Sequence, residues 1–181
     1  SASTSTGSTS LTNTSGTVTL SEMTVTGGTL TATNTSGNLT VTTLTASGGD
    51  FTGVNNDTTP GNKITLGSAT ISSGRTVGLQ GAGDFSVGGT TASGTLSTTS
   101  TGTTTLSGTS TINAGGSFAL TGSGGLGTIV LNGLTLSNSG SLVAAIPVTT
   151  TGASSSSTIN PGTNTATTTF AAVTVSDQNL T

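Results

Sequence analysis

Histidine, cysteine, tyrosine and tryptophan are absent from this 181-residue chain, which carries two basic residues, five acidic residues, four phenylalanines and three prolines. Without histidine or cysteine, no Ser-His-Asp or Cys-His nucleophile can be assembled, and zinc lacks its usual ligands. The only cations, Lys63 and Arg75, cannot neutralise a phosphate backbone, and no Trp or Tyr is present to stack on bases, so nucleic acid is excluded as a partner. The same shortage argues against anionic membrane surfaces. The longest apolar run, Leu142 to Val148, contains Pro147 and has seven residues, against the roughly 18 that a spanning helix requires, so no membrane insertion is expected. A pair of carboxylates can hydrolyse glycosides. The closest acids in sequence, Asp50 and Asp57, have no Trp or Tyr platform for a sugar ring, and the chain reads as a non-enzyme that needs no cofactor.

What is present is small and β-forming. Thr (48), Gly (29) and Ser (28) make up most of the chain, and the net charge is -3. Disordered chains usually pair low hydrophobicity with high net charge, which this one does not have. Thr and Val suit a pleated surface through their branched Cβ, while the strong helix formers are scarce. An all-β domain is expected. A charge-poor Thr/Ser/Gly surface reads as extracellular, or cell-surface, rather than cytosolic. With no charged and apolar leader ahead of it, Ser1 reads as the first residue of a processed chain.

A glycine followed two places later by a large apolar residue recurs at Gly28/Leu30, Gly49/Phe51, Gly94/Leu96, Gly116/Phe118 and Gly140/Leu142, and Gly74/Val77 carries one extra residue. The glycines step by 21, 25, 20, 22 and 24 residues. Apolar residues also recur ahead of each anchor, as in Leu20 and Val25, Val41 and Ala46, or Leu131 and Leu136; the copy at Gly94 is the weakest. Strands of three to five residues that turn this often cannot each cross a sandwich. They fit a β-solenoid (parallel β-helix) of about six coils of 20–25 residues, in which stacked rungs bury a narrow core. An antiparallel β-sandwich or jelly roll with strand exchange is the alternative.

The segment Gly37-Asn38-Leu39-Thr40-Val41-Thr42-Thr43-Leu44-Thr45-Ala46-Ser47-Gly48-Gly49 resembles the repeats of filamentous-haemagglutinin and autotransporter-type secreted adhesins, and the resemblance extends over roughly residues 15 to 146. It implies a right-handed parallel β-helix, secretion and a role in adhesion. Members of that family are usually far longer, and no secretion-signal domain is recognisable.

The ends depart from the repeat. Residues 1–14 read as a low-complexity tail, 15–148 as the repeat domain, 149–168 as a Thr/Ser/Asn-rich linker, and 169–181 as a C-terminal strand and tail. Phe170, Val173 and Val175 are candidate subunit contacts. The C-terminal strand either completes a sheet in a neighbouring copy by strand exchange or folds back to cap its own solenoid.

Candidate sites are few. Asp50, Asn55, Asn56 and Asp57 gather oxygens on an expected long turn before Pro60, and calcium prefers such ligands. Asx residues populate turns for their own backbone bonds as well, and no metal is assigned. Gly81-Ala82-Gly83-Asp84 is a single faint copy of a calcium-repeat pattern. Gly122-Ser123-Gly124-Gly125-Leu126-Gly127 satisfies G-x-G-x-x-G, but the residues after it read as strand, so it is a turn and not a dinucleotide fingerprint. Glycosylation acceptors stand at Asn13, Asn34, Asn38, Asn56 and Asn179, in no excess over chance. Lys63 reads as a solvated turn lysine rather than an isopeptide donor. Thr-x-Thr pairs such as Thr17/Thr19, Thr24/Thr26, Thr29/Thr31, Thr40/Thr42 and Thr43/Thr45 would suit an ice-binding array, but the copies after Gly49 largely lose them. The functional expectation is a secreted, non-enzymatic structural subunit that self-assembles as a homopolymer in an extracellular filament or surface layer serving adhesion or biofilm cohesion, with surface glycans as candidate ligands. The alternatives are a fragment of a large adhesin and a Thr-rich ice-binding module.

Overall fold

The structure, a computed structural model, describes residues 2–5, 7–124, 126–150, 157–161, 166–171 and 173–175. These residues contain no helix, and their strands fall into two sheets. The first holds β1 (Ala2–Ser5), β3 (Thr17–Val25), β5 (Asn38–Ala46), β7 (Lys63–Ile71), β9 (Asp84–Ala92), β11 (Thr103–Ile112), β13 (Thr128–Asn138), β15 (Val148–Thr150), β16 (Thr158–Pro161) and β18 (Val173–Val175). The second holds β2 (Thr9–Asn13), β4 (Thr29–Asn34), β6 (Asp50–Asn55), β8 (Thr76–Gly81), β10 (Thr95–Ser100), β12 (Ser117–Gly122), β14 (Ser141–Ala144) and β17 (Thr167–Phe170). Pairing is parallel throughout, and each strand lies on the strand one coil earlier. This is a β-solenoid of about seven turns, and the antiparallel alternative is overturned.

Alternating side chains explain the cross-section. In β5, Leu39 and Val41 point inward, Thr42 and Thr43 both point out, and Leu44 and Ala46 point inward again. Two outward residues in succession turn a corner, so each long strand covers two sides of the coil and each short strand covers the third. The ladder skips a residue at the corner: Val41 pairs with Leu66, then Thr43 with Ser68, leaving out Thr42 and Gly67. The corner holds Thr42 in one coil and Gly67 in the next, where the coils stack so tightly that a Cβ on Gly67 would stand 2.6 Å from the Thr42 carbonyl oxygen. Gly88 takes the same place one coil later.

The glycine anchors do what their spacing implied. Leu30, Phe51, Val77, Leu96, Phe118 and Leu142 are register partners in succession and form one interior column. All six are buried. The extra residue before Val77 is absorbed in the turn, so the column continues without a slip. A second column runs through Leu39, Ile64, Phe85, Thr104, Ile129 and Val148. Phe51 projects beside Gly53, whose missing side chain leaves room for that ring and for Leu79.

The coil carrying the weakest anchor copy has the most polar interior. Thr98, Ser100, Thr104 and Ser110 are all buried there. Ser100 Oγ donates to the Gly83 carbonyl at 2.9 Å and accepts the Gly102 N–H at 2.9 Å, and Ser110 Oγ accepts the Thr90 N–H at 3.0 Å. Thr98 Oγ1 is, among the described residues, a buried side-chain atom without a hydrogen-bond partner.

The expected tails contribute rungs. β1 and β2 lie within the expected 1–14 tail and pair with β3 and β4, and β15, β16 and the first half of β17 lie in or reach into the expected 149–168 linker. Rungs are joined by backbone bonds, so Thr/Ser segments that alternate correctly extend the stack even without large apolar residues. Phe170 pairs in register with Ala144 and packs against the core. Val173 pairs with Val148, and Val175 with Thr150, so this segment lies on the chain's own last coil, where the fold-back alternative puts it.

Candidate functional surface

Inside the corner that follows the short strands, Asn13, Asn34 and Asn55 are register partners. Asn13 Nδ2 donates to Asn34 Oδ1 at 2.9 Å, Asn34 Nδ2 to Asn55 Oδ1 at 3.1 Å, and Asn55 Nδ2 to the Asp84 carbonyl at 2.9 Å. Asn34 Nδ2 also reaches the Gly37 carbonyl at 2.7 Å. A primary amide both donates and accepts, so stacked amides satisfy one another where the chain turns away from sheet hydrogen bonding. Two glycosylation candidates, Asn13 and Asn34, therefore have buried nitrogens that are already engaged. Asn38 is half-buried and its Oδ1 accepts the Lys63 N–H at 3.0 Å; Asn56 is exposed. Asn179 lies outside the described residues.

The calcium candidates do not converge. Residues 50–55 form strand β6 and not the expected turn, because Phe51 and Asn55 occupy interior columns. The strand separates Asp50, at its start, from Asn55, at its end, by about 17 Å, and Asp57 lies in the corner beyond it. Asp50 Oδ1 accepts the Thr76 N–H at 2.8 Å. Asp57 is buried and filled with donors: Thr59 N–H at 2.8 Å, Asn62 Nδ2 at 2.8 Å and Gly37 N–H at 2.7 Å. Hydrogen bonds from the Thr59 side chain and backbone, then Asn62 and Gly37, hold its carboxyl at about 2, below the ordinary 3.8. This acid clamps the turn before Lys63 to the preceding coil. No group of three or more His, Cys, Asp or Glu placed to hold a metal occurs among the described residues, and no helix there is long and apolar enough to cross a membrane.

The outward surface is built of threonine columns. Thr24, Thr45, Thr70, Thr91 and Thr111 are successive register partners on one side. On another side run Thr19, Thr40, Thr65, Ser86 and Thr105. The expectation that the threonine array fades after Gly49 is thus corrected. The pairs along the sequence become sparser, although Thr103/Thr105 and Thr109/Thr111 remain, and the columns across coils persist, because register depends on strand pairing and not on a fixed repeat length. Lys63 is exposed at a strand start, and the Arg75 side chain donates to the Gly48 carbonyl at 3.1 Å.

The broad side formed by the second sheet presents three outward columns, and Asp50 is its one charged residue among those described. At its carboxyl edge lies a shallow cleft of about 400 Å³, lined by Val54, Gln80, Gly81, Ala82, Thr99, Thr101 and Ser123. The G-x-G-x-x-G turn rises at the same edge, and its Leu126 is 62% exposed. The structure agrees that this segment is a turn entering strand β13. Sequence reading missed the amide stack, although Asn-Thr-Ser-Gly recurs at 13–16 and 34–37, one coil apart; it missed the cleft because that is assembled from four coils.

Comparison with protein-family models, with curated proteins and with solved structures gave no match in any of the three.

Proposed function

We propose that this chain is a non-enzymatic structural module, a β-solenoid rod that builds an extracellular filament or surface layer serving adhesion, as in the secreted adhesins its repeats resemble. The carrying observation is the chemistry of the terminal rungs. β1 and β2 at one end, and β16, β17 and β18 at the other, each have a strand neighbour on one side only among the described residues. Exposed strand edges pair readily unless Lys, Pro or a bulge blocks them, and apart from Pro161 at the end of β16 these strands contain no charge and no proline. Such edges accept further coils of the same kind, whether from a longer chain or from another copy.

Negative-stain electron microscopy over rising protein concentration tests this. Rods growing in length with concentration are expected. Particles that stay one module long at every concentration would refute self-assembly through the ends.

A second reading is favoured by the unbroken column from Thr24 to Thr111. Rungs repeat at about 4.8 Å and alternate outward residues at about 6.6 Å, a rigid hydroxyl and methyl lattice that suits an ice surface. Inhibition of ice recrystallisation that disappears in Thr45→Tyr and Thr70→Tyr would support it, and no inhibition by the native chain would exclude it.

A further inference from the structure

We infer that a second copy of this chain docks on the broad side of the second sheet, around a two-fold axis along β10, with Leu126 of each copy entering the other's cleft. This deepens the assembly reading above, on which it rests.

Three observations carry it. The side is nearly uncharged: apart from Asp50, already hydrogen-bonded to the Thr76 N–H at 2.8 Å, its outward residues are Thr, Ser, Gly, Ala, Val and Gln. Sheets with small, neutral side chains pack closely and dry against one another. Secondly, the area suffices. Strands of four to six residues span about 13–20 Å and seven overlapping rungs about 34 Å. Pairing would bury about 550 Å² on each copy, or about 1,100 Å² in all, above the roughly 1,000 Å² that a specific interface needs.

Thirdly, knob and hollow are placed to meet. Leu126, one of the two large exposed hydrophobics among the described residues, follows β12, and the cleft spans the ends of β6, β8 and β10. Rotation about β10 exchanges the positions of β8 and β12 while keeping the carboxyl edges together. Each Leu126 then lies over Gln80 and Ala82 of the other copy. The axis also places Ser97, in the middle of β10, opposite its own counterpart.

The absence of cysteine makes the test clean. Ser97→Cys, treated with a bismaleimide that spans one sheet-to-sheet distance of about 10 Å, should give a covalent dimer, and Thr70→Cys on another side should not. In sedimentation velocity the native chain should show a dimer, and Leu126→Asp should weaken it by at least about tenfold, with Leu126→Met close to native. Circular dichroism of each variant establishes that it is folded. A native chain that stays monomeric overturns the inference. If the chain assembles but neither Leu126→Asp nor Ser97→Lys changes its sedimentation, this interface is wrong while the filament reading stands. If rods fail to form yet the dimer behaves as described, the filament reading falls and this one survives.

Discussion

Replacing Asn34 by alanine should cost far more than its small size suggests. The substitution removes the bond from Asn34 Nδ2 to the Gly37 carbonyl, the bond to Asn55 Oδ1, and the acceptor of Asn13 Nδ2. At about 1 kcal/mol net for each hydrogen bond, the loss is about 3 kcal/mol. Asn55 Oδ1 keeps the Asp57 N–H at 3.2 Å and Asn13 Nδ2 keeps the Asn38 carbonyl at 3.1 Å, so the effect should not rise far above that figure. For a chain of this length the melting temperature falls by about 2–4 °C per kcal/mol, giving a drop of about 6–12 °C. Urea titration with the slope monitored is the appropriate assay, since repeat arrays can lose two-state behaviour. Asn56→Ala, one residue beyond the stack and exposed, serves as the control and should stay within about 0.5 kcal/mol. Equal effects from the two substitutions would refute the claim that the amide stack holds this corner.

Three further outcomes are expected. Thr98→Val keeps the shape but removes a buried hydroxyl that has no partner, so it should stabilise the chain by about 1 kcal/mol in the same titration; a loss of stability would show that the hydroxyl is satisfied. Gly88→Ala should destabilise by about 2 kcal/mol or more, because its Cβ would collide with the Gly67 carbonyl of the coil below; an unchanged denaturation midpoint would show that the corner can open. Asp57 binds its proton less tightly in the folded chain, at about 2 against 3.8, so its contribution is complete above pH 3.8 and is lost as pH falls towards 2. Thermal melts from pH 7 down to 2 should show that loss in the native chain and a shallower acid dependence in Asp57→Asn, and identical profiles would remove Asp57 from the clamp.

Much of the fold was legible because one column of large apolar side chains follows one glycine turn in six successive coils, from Leu30 to Leu142. Leu30, Phe51, Leu96, Phe118 and Leu142 identified the rungs, and the poorly matching copy at Gly94 proved to be the coil whose interior is hydroxyl-rich. The two long strand halves were harder to recognise as one strand, since the corner between them, at Thr42 or Gly67, breaks the alternation without breaking the ladder. The strands within the expected tails were not legible because residues such as Thr9 to Asn13 carry little hydrophobicity, and a rung needs mainly backbone partners. Asn34 and Asn55 read as turn formers or glycan acceptors because their roles appear only when coils are superposed. The threonine columns were obscured for a related reason: coils differ in length, between 19 residues from Val77 to Leu96 and 26 from Phe51 to Val77, so no fixed period aligns them.

That variation in coil length falls at the corners. The passage from Asn34 to Asn38 holds residues 35–37, whereas the passage from Asn55 to Lys63 holds residues 56–62, and the strands on either side keep their register. The corner after each short strand therefore behaves as an expansion joint in a ruled scaffold. Foreign peptides spliced there, between Pro60 and Gly61 so that the Asp57 bonds are kept or between Ser123 and Gly124, would project in single file along one edge at multiples of the rung spacing, about 4.8 Å. The rod is in this sense a linear display frame, on which spacing is set by the choice of coil and composition by the choice of insert.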